Sequence, residues 1–405
     1  MKSLSLAFFL SAVTLTAGES QAAPLEGSIG LRAQGFLIEP LFDEQLDRRV
    51  DLQLQGLLKG RYLLLNSAES ELEFRFEIRG SLDEVNVLGD VKNAAIQYTR
   101  SRFSLRAGFL QESWGLMSVH SPLDTFNQTD EVADFRGLVR LGQPGIALEY
   151  LGIVDLTLLV SNTFTDRRLN DDERRFRFSE LPFATPVLEP VDEIEENNLA
   201  FRLGTQAGDF SLSLIYFYGL GRDPVFVPVF DDGVVSVPIA LAPTYRLEQQ
   251  AGLTIERPVA DYVLRAEAYL RVPNDDMFSR YGGWAIGVDR SFWDIGKNAA
   301  GDILGTIEYY RSDRSNDAPV TIFDNDLAVG MRWAFNDPKS KEVSFLLIHD
   351  LDVGSTSFDL GYKFDISDSL VFEANAQYFV NVDDDPALQS FANDNNTSIA
   401  VSWIF

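Results

Sequence analysis

Cysteine and histidine, two residue types that often carry out nucleophilic and acid–base catalysis, are nearly absent from this chain of 405 residues. It contains no cysteine and only two histidines, His120 and His349. His120 is followed by Ser121, but neighbouring side chains of an extended chain point in opposite directions and do not form a catalytic pair. His349 is followed by Asp350 with no nucleophile motif nearby, and the chain has no G-x-S-x-G, Walker or H-E-x-x-H motif. We therefore predict that the chain is not an enzyme and that it needs no cofactor and no resident metal ion.

Carboxylates dominate the charged residues. The chain has 61 Asp and Glu against 34 Lys and Arg, a formal net charge of −27, which excludes nucleic acid as a partner because phosphate binding needs a basic surface. Carboxylate clusters can hold Ca²⁺ or Mg²⁺, but their spacing here does not match an EF-hand, so we interpret them as solvated loops. A second interpretation is that divalent cations bridge these loops to anionic lipopolysaccharide. The clusters are Asp171-Asp172-Glu173, Glu193 with Glu195-Glu196, Asp231-Asp232, Asp275-Asp276 and Asp383-Asp384-Asp385.

Two-residue alternation of apolar and polar side chains runs through almost the whole chain, for example over residues 70–82. Helical periodicity is almost absent, so we predict an all-β chain. The strands, among them 138–150 and 245–257, are about ten residues long, which suits a tilted bilayer crossing and exceeds the usual length in soluble sheets. We predict about 18 strands, within a range of about 16 to 20, in a single closed antiparallel transmembrane β-barrel.

One face of these strands carries charged side chains that would point into the lumen of such a barrel. Basic and acidic residues are nearly balanced on this face, so we expect cross-strand ion pairs at least as much as a transport track. The surplus negative charge then belongs to the loops and turns. The predicted lumen charge ladder contains Arg75, Arg79, Arg106, Arg202, Arg265, Arg332, Glu73, Glu77, Glu267 and Glu308.

Short and long connections alternate along the chain. Long outer loops are predicted near 111–137, 163–196 and 219–244, separated by short turns such as 151–153. This rhythm is typical of outer-membrane barrels, which have short periplasmic turns and both termini on the periplasmic side. The 219–244 segment contains two apolar runs around a hairpin turn signal, and its prolines disfavour a membrane crossing. We expect an outer hairpin, with two further barrel strands as the alternative.

The connection between Leu110 and Gly137 contains the most distinctive motif of the chain. It follows a strand that ends in Arg-x-Gly, and its residues are, in order, Trp114-Gly115, Pro122-x-Asp124, Asn127 and Asp130. This order resembles a motif shared by a group of Gram-negative outer-membrane barrels that is related in plan to the alginate-export porins. The resemblance covers most of the chain, although only this motif is distinctive.

By position this connection is the third outer loop, the loop that narrows the lumen in general porins. The resemblance implies a pore constriction built by Trp114, Asp124, Asn127, Asp130 and Arg136. The alternative is that Trp114-Gly115 and Pro122 only lock a long loop against the barrel wall. The two interpretations are compatible.

The two ends of the chain predict export and assembly. Residues 1–22 contain an early lysine, then an apolar run, then small residues typical of a cleavage site, which is the pattern of a secretory signal peptide. Residues 23–405 would form a single barrel domain. The last strand alternates and ends in Trp403 and Phe405, and it resembles the terminal strand that the barrel assembly machinery reads. We therefore expect this machinery, outer-membrane lipid and lipopolysaccharide as partners, and the sequence leaves the oligomeric state open.

These features predict a porin-like channel in the outer membrane of a Gram-negative bacterium. Barrels of this strand number keep an aqueous lumen, so the expected function is passive diffusion of small hydrophilic solutes, with a weak cation preference set by the loop carboxylates. One alternative is a barrel plugged by its 111–137 and 163–196 loops that acts as a surface adhesin or envelope scaffold. Another is a polysaccharide export channel, which favours a strongly basic lumen.

Overall fold

The structure is a computed structural model that describes residues 25–47, 49–170, 173–189, 197–231, 234–275, 278–296, 301–315 and 317–405. The predicted signal peptide, residues 1–22, lies outside the described residues, as do parts of the predicted acidic clusters. No helix in the described ranges is long and apolar enough to cross a membrane.

β-Strands, numbered in chain order, make up nearly all of the regular structure of the described residues. They are β1 (Glu26–Phe36), β2 (Val50–Asn66), β3 (Ser70–Leu82), β4 (Val87–Arg100), β5 (Phe103–Leu110), β6 (Gln143–Tyr150), β7 (Val154–Ser161), β8 (Val187–Glu189), β9 (Asn198–Ala207), β10 (Phe210–Leu220), β11 (Val225–Asp231), β12 (Val234–Val259), β13 (Tyr262–Pro273), β14 (Tyr281–Ile295), β15 (Gly301–Asp313), β16 (Asn325–Ala334), β17 (Glu342–Asp350), β18 (Thr356–Ser367), β19 (Leu370–Val380) and β20 (Asn396–Ile404). One short 3₁₀ helix, Gln389–Phe391, precedes the last strand.

Eighteen of these strands form one closed antiparallel barrel. Neighbours in the barrel follow chain order, with β8 and β11 outside it, and β1 closes the sheet by pairing with both β2 and β20. At this seam the N–H of Phe405 donates to the carbonyl of Gly27 at 3.0 Å, and the reverse bond measures 2.9 Å. Closure leaves the barrel without an unpaired edge. The predicted all-β fold and the predicted strand number are confirmed.

The surface of the barrel is inverted relative to that of a soluble protein. Large apolar side chains on the strands face outward and stay exposed, among them Leu31, Ile96, Leu148, Ile286 and Ile399. Charged and amide side chains at the alternate positions face the lumen. An apolar outer band of this kind is costly in water and suits the hydrocarbon core of a bilayer. Exposed aromatic side chains close to the short turns add an interfacial belt that includes Phe103, Phe210, Tyr262, Trp293 and Trp403.

The connections give the barrel two different ends. At one, which we call the turn end, strands are joined by short turns such as 101–102 and 208–209. Gly208 has a φ of 63°, a left-handed conformation that allows such a tight turn. At the other, which we call the loop end, the connections 111–142 and 162–197 are long, and the latter contains β8. Phe405 lies at the turn end, beside the start of β1.

Two segments differ from the sequence prediction. The strand predicted at 138–150 begins at Gln143, because the preceding residues pair with the connection itself and the N–H of Leu141 donates to the carbonyl of Gln128 at 2.8 Å. The strand predicted at 245–257 is extended to Val234–Val259. Its first half pairs with β11 in a hairpin beyond the barrel at the loop end, with β8 alongside, so the 219–244 segment adds no barrel strand.

Candidate functional site

The connection between β5 and β6, residues 111–142, folds back into the barrel, and we call it the lumen loop. Its residues Leu123, Asn127 and Gln128 are at most 1% exposed. The loop reaches nearly opposite sides of the wall, since Ser121 binds Glu267 on β13 and Asp130 binds Arg79 on β3. A single loop therefore spans the interior of the barrel.

Two wall carboxylates hold the central part of the lumen loop. Glu267 on β13 accepts hydrogen bonds from the N–H of Met117 at 3.1 Å and from the hydroxyl of Ser121 at 2.7 Å. Glu308 on β15 accepts a bond from the N–H of Ser118 at 2.6 Å. Both carboxylates are at most 3% exposed, and buried charges of this kind are costly without such partners. In the described part of the chain, these two predicted ladder residues therefore bind the loop and form no cross-strand ion pair.

Two residues of the loop motif shape the loop itself. The carboxylate of Asp124 accepts a hydrogen bond from the N–H of Trp114 at 2.6 Å. The side-chain amide of Asn127 donates to the carbonyls of Leu110 and Leu141, at 2.7 and 2.9 Å, and so ties the two ends of the loop together. Asp124 and Asn127 thus set the conformation of the loop.

Apolar packing holds the lumen loop against one side of the wall, β6–β15, which we call the filled side. Small residues of the wall make room for the loop: a Cβ atom added to Gly252 on β12 would lie 2.1 Å from Cδ2 of Leu123. Glycine inside a strand often marks such a close approach. The buried cluster combines loop residues Trp114, Leu123 and Phe126 with inward residues Ala147, Leu159, Ala200, Ile215 and Phe217.

A cavity of about 580 Å³ remains on the opposite side of the lumen. Its wall is formed by β1–β4 and β18–β20, which we call the open side, and the lumen loop bounds it from the interior. It extends from Asp83 at the loop end down to Ser28 and Ser402, close to the turn end. Its polar lining includes Arg32, Gln34, Asp51, Gln53, Gln55, Arg79, Asp90, Asn375, Gln377 and Asn396.

The structure separates the five predicted constriction residues into two groups. Asp130 and Arg136 line the cavity. Asp130 binds Arg79 of the wall and Arg168, the latter at 3.4 Å, and Arg136 binds Asp359 of the wall at 2.8 Å. The other three predicted residues lie within the packing of the loop. Whether any of them limits the passage of solutes stays a prediction.

Most of the other ladder residues form ion pairs between neighbouring strands. Arg202 is an exception, because it donates to the hydroxyl of Ser213 at 3.2 Å. The ion pairs neutralise opposite charges that face the lumen and leave little net charge on the wall. They are Glu73 with Arg61 at 2.5 Å, Glu77 with Lys92 at 2.6 Å, Arg79 with Asp90 at 3.3 Å, Arg106 with Glu149 at 2.5 Å, Arg265 with Glu256 at 3.1 Å and Arg332 with Glu342 at 2.5 Å, while Arg75 binds Glu73 on its own strand.

A buried ion network connects the lumen loop to two neighbouring loops. Arg167 donates to Glu131 of the lumen loop at 2.7 Å and also to Asp223, which Arg271 of β13 approaches to 2.5 Å. Burial raises the pKa of Glu131 to about 7 despite Arg167. Burial alone would also raise the pKa of Asp223, but Arg271 and Arg167 hold it well below its usual range. This network could not be predicted from the sequence, because its residues lie far apart in the chain and follow no motif.

Phenylalanine side chains meet at the loop end of the cavity. Phe36, Phe135 and Phe176 line it. The rings of Phe135 and Phe176 stack with centroids 5.7 Å apart, and Phe391 approaches Phe135 to 4.8 Å. This cluster joins the lumen loop to the 162–197 and 381–395 connections at the loop end of the cavity.

Three aspartates form a carboxylate cluster at the loop end of β16 and β17. Oxygen atoms of Asp324, Asp326 and Asp350 lie within 4.8 Å of one another. Register explains the contact, since Asp326 pairs directly with Asp350. Backbone N–H groups stabilise the charges, as in the bond from Asp352 to Asp350 at 2.6 Å. This cluster was not among the acidic clusters that the sequence predicted.

Solved structures of a porin are similar to this chain at low sequence identity. No family model and no curated protein matches the chain. Among solved structures, a triple mutant of Rhodopseudomonas blastica porin is similar over 94% of this chain and 99% of that chain, with 13% identity and a TM-score of 0.42. A double mutant of the Rh. blastica porin has the same coverage, 13% identity and a TM-score of 0.44. A third solved structure, described as "Asymmetric conductivity of engineered proteins", has the same coverage, 11% identity and a TM-score of 0.44.

Proposed function

We propose that the chain is an outer-membrane channel for the passive diffusion of small hydrophilic solutes. The observation that supports this most directly is the polar cavity of about 580 Å³ along the open side of the lumen. Amide, hydroxyl and paired charged side chains line it, and such groups exchange hydrogen bonds with water and solutes without a strongly apolar barrier. The lumen loop would act as the constriction, because it occupies the filled side and bounds this cavity.

The exterior of the barrel supports insertion into a membrane. The outward apolar side chains and the belt of aromatic residues near the turn end match the surface that a bilayer requires. In this proposal the loop end faces outside and the turn end faces the periplasm of a Gram-negative cell. Residues 1–22 would direct export, and Trp403 and Phe405 would be read by the assembly machinery.

A weak cation preference is part of the proposal. The connections contain most of the surplus carboxylates, and fixed negative charge at a mouth concentrates cations over about a Debye length, roughly 8 to 10 Å at physiological salt. Asp130 lines the cavity and would add to this effect. The same carboxylates could bind lipopolysaccharide through divalent cations.

A self-plugged barrel that serves as an adhesin or scaffold is the second candidate function. The phenylalanine cluster at the loop end favours it, because Phe135 of the lumen loop packs there against Phe176 and Phe391 of two other connections. A polysaccharide exporter has less support, since the arginines of the cavity wall are mostly paired with carboxylates and do not form a basic track.

Single-channel recording in planar bilayers tests the proposal. The purified full chain should give stable conductance steps in KCl, and salt gradients should give a reversal potential of the sign expected for weak cation preference, which diminishes as salt rises. Absence of any steps from folded barrels would favour the plugged scaffold. Clear anion preference would favour the exporter.

A further inference from the structure

Arg32 is unusual among the arginines that line the cavity. It lies on β1 of the open side, and its Nη2 donates to the hydroxyl of Ser398 at 3.1 Å. Its Nε is buried without an acceptor, and within the described ranges it forms no ion pair. The other arginines of the cavity all have carboxylate partners: Arg79 with Asp90 at 3.3 Å, Arg136 with Asp359 at 2.8 Å, Arg168 with Asp130 at 3.4 Å, Arg174 with Asp83 at 3.6 Å and Arg175 with Asp394 at 2.7 Å.

Neutral amides surround this guanidinium on the wall. The amide of Gln34 donates to Asn396 at 2.9 Å, Asn396 donates to Gln377 at 3.3 Å, and Gln377 donates to Asp359 at 3.0 Å. We call these three amide residues the amide row. It runs across β1, β20 and β19 beside Arg32, so the hydrogen-bonding groups next to the guanidinium on this wall are mostly neutral.

The two carboxylates whose charges act on Arg32, those of Glu373 and Asp134, already have partners. Glu373 lies on β19 at the level of Ala400, the residue that pairs with Arg32 across β20. It forms an ion pair with Lys363 at 3.3 Å. Arg32 therefore makes one side-chain hydrogen bond although a guanidinium has five N–H donors, and among the described residues it lines the cavity without a carboxylate partner.

We propose that Arg32 and the amide row form a binding subsite for small organic monocarboxylates that carry hydroxyl groups. This inference rests on the proposed channel function. The guanidinium would hold the carboxylate by charge-assisted hydrogen bonds, for which its planar fork is suited. The amides would bind the hydroxyl groups. A single unpaired cation matches one negative charge and is poorly matched to a dianion such as phosphate.

The subsite and the mouth act on solutes in different ways. The field of the loop carboxylates is long-ranged and weakens with salt, whereas hydrogen bonds to Arg32 require contact. High KCl concentration therefore removes most of the mouth effect and leaves the contribution of Arg32 to be measured.

The test compares lactate with lactamide, its uncharged analogue of nearly equal size. Labelled lactate and lactamide would be followed into proteoliposomes that contain the full chain at high KCl concentration. We expect Arg32→Gln to lower the ratio of lactate to lactamide flux by about threefold to tenfold, because one charge-assisted contact is lost. Arg32→Lys should restore part of the ratio, since it returns the charge without the fork.

A matched control separates the subsite from general lumen charge. Arg61→Gln removes a lumen-facing arginine of β2 that pairs with Glu73 at 2.5 Å and does not line the cavity, so it should leave the flux ratio unchanged. Lactamide flux and heat-modifiable mobility report whether each variant is folded and open.

Each outcome has one interpretation. An equal flux ratio in the native chain and in Arg32→Gln, or an equal loss in Arg61→Gln, would overturn the subsite while leaving the channel intact. Absence of both fluxes and of KCl conductance in the native chain would overturn the channel function itself. In single-channel records, lactate should also reduce KCl conductance of the native chain and not that of Arg32→Gln.

Discussion

The two sides of the lumen are built from the same alternating strands, yet they differ in what covers them. On the filled side the inward positions hold small or apolar residues such as Ala147, Gly252 and Ala285, and the lumen loop packs directly on them. On the open side the inward positions hold long polar residues such as Gln53 and Gln377, and the cavity lies against them.

This difference indicates that the size of the inward side chains determines which side of the wall the loop packs against. Alternation alone decides which face meets lipid, and it is the same on both sides. Short inward residues leave room for a loop backbone, and buried carboxylates such as Glu267 and Glu308 then satisfy the N–H groups that the loop brings inside. Long amide and arginine side chains occupy the equivalent space on the open side and face the cavity.

The largest expected effect comes from removing both anchors of the loop. Glu267→Ala with Glu308→Ala deprives the N–H groups of residues 116–119 of their acceptors, at about 1–3 kcal/mol for each unsatisfied group. The loop should leave the filled side, so single-channel conductance should rise severalfold and become noisier. Glu342→Ala, which removes a carboxylate paired with Arg332 away from the loop, is the control. Native conductance in the double variant would contradict the anchoring role.

A smaller effect is expected from filling the space at the wall. Gly252→Ala places a methyl group 2.1 Å from Leu123, and overpacking of this kind costs about 1–3 kcal/mol. Gly330→Ala is the matched control, because its nearest neighbour would lie at 3.6 Å. Thermal loss of the heat-modifiable form should occur at lower temperature for the first variant only. Equal stability of the two variants would mean that the loop does not depend on close contact here.

The third expected effect distinguishes the roles of two aspartates in the motif. Asp130→Asn removes a charge that lines the cavity and should reduce cation over anion permeability, measured from reversal potentials, by less than about threefold. Asp124→Asn should instead weaken the turn at Trp114 and increase current noise with little change in selectivity. A larger change in selectivity from Asp124→Asn than from Asp130→Asn would reverse this assignment.

The smallest expected effect is a dependence on pH through Glu131. Its pKa rises from an ordinary value of 4.5 to about 7, so the folded chain keeps a proton that the unfolded chain loses between these values. Stability should therefore fall as pH rises through this window, with the melting temperature dropping by about 2 °C. Glu131→Gln should remove this part of the dependence. An unchanged slope in that variant would assign the titration to another group.

Much of the fold could be predicted from the sequence, because each strand of a barrel wall is recognisable from a local pattern of side chains. Alternation over about ten residues identifies each strand, and a turn signal between two proline-containing apolar runs identifies the hairpin at 219–244. The start of β6 at Gln143 was not predictable, since residues 139–141 pair with residues 128–130 of the same loop and not with a neighbouring strand.

The site was predictable only in part. The motif indicated which loop enters the lumen, but side-chain parity could not show that Glu267 and Glu308 bind loop amides while Glu73 and Glu77 bind arginine and lysine. The signal that was available was glycine and alanine at inward positions, among them Gly252. The contact between Asp223, Arg167 and Arg271 depends on three distant segments and had no local signature.

Cysteine modification at two lumen positions tests the division of the lumen most directly. The chain has no cysteine, so Gln53→Cys on the open side and Thr254→Cys on the filled side each introduce a unique thiol. A charged methanethiosulfonate reagent added to single channels should reduce conductance through Gln53→Cys and leave Thr254→Cys unaffected. Equal block at both positions, or block only at Thr254→Cys, would contradict a lumen in which the loop fills one side and solutes pass along the other.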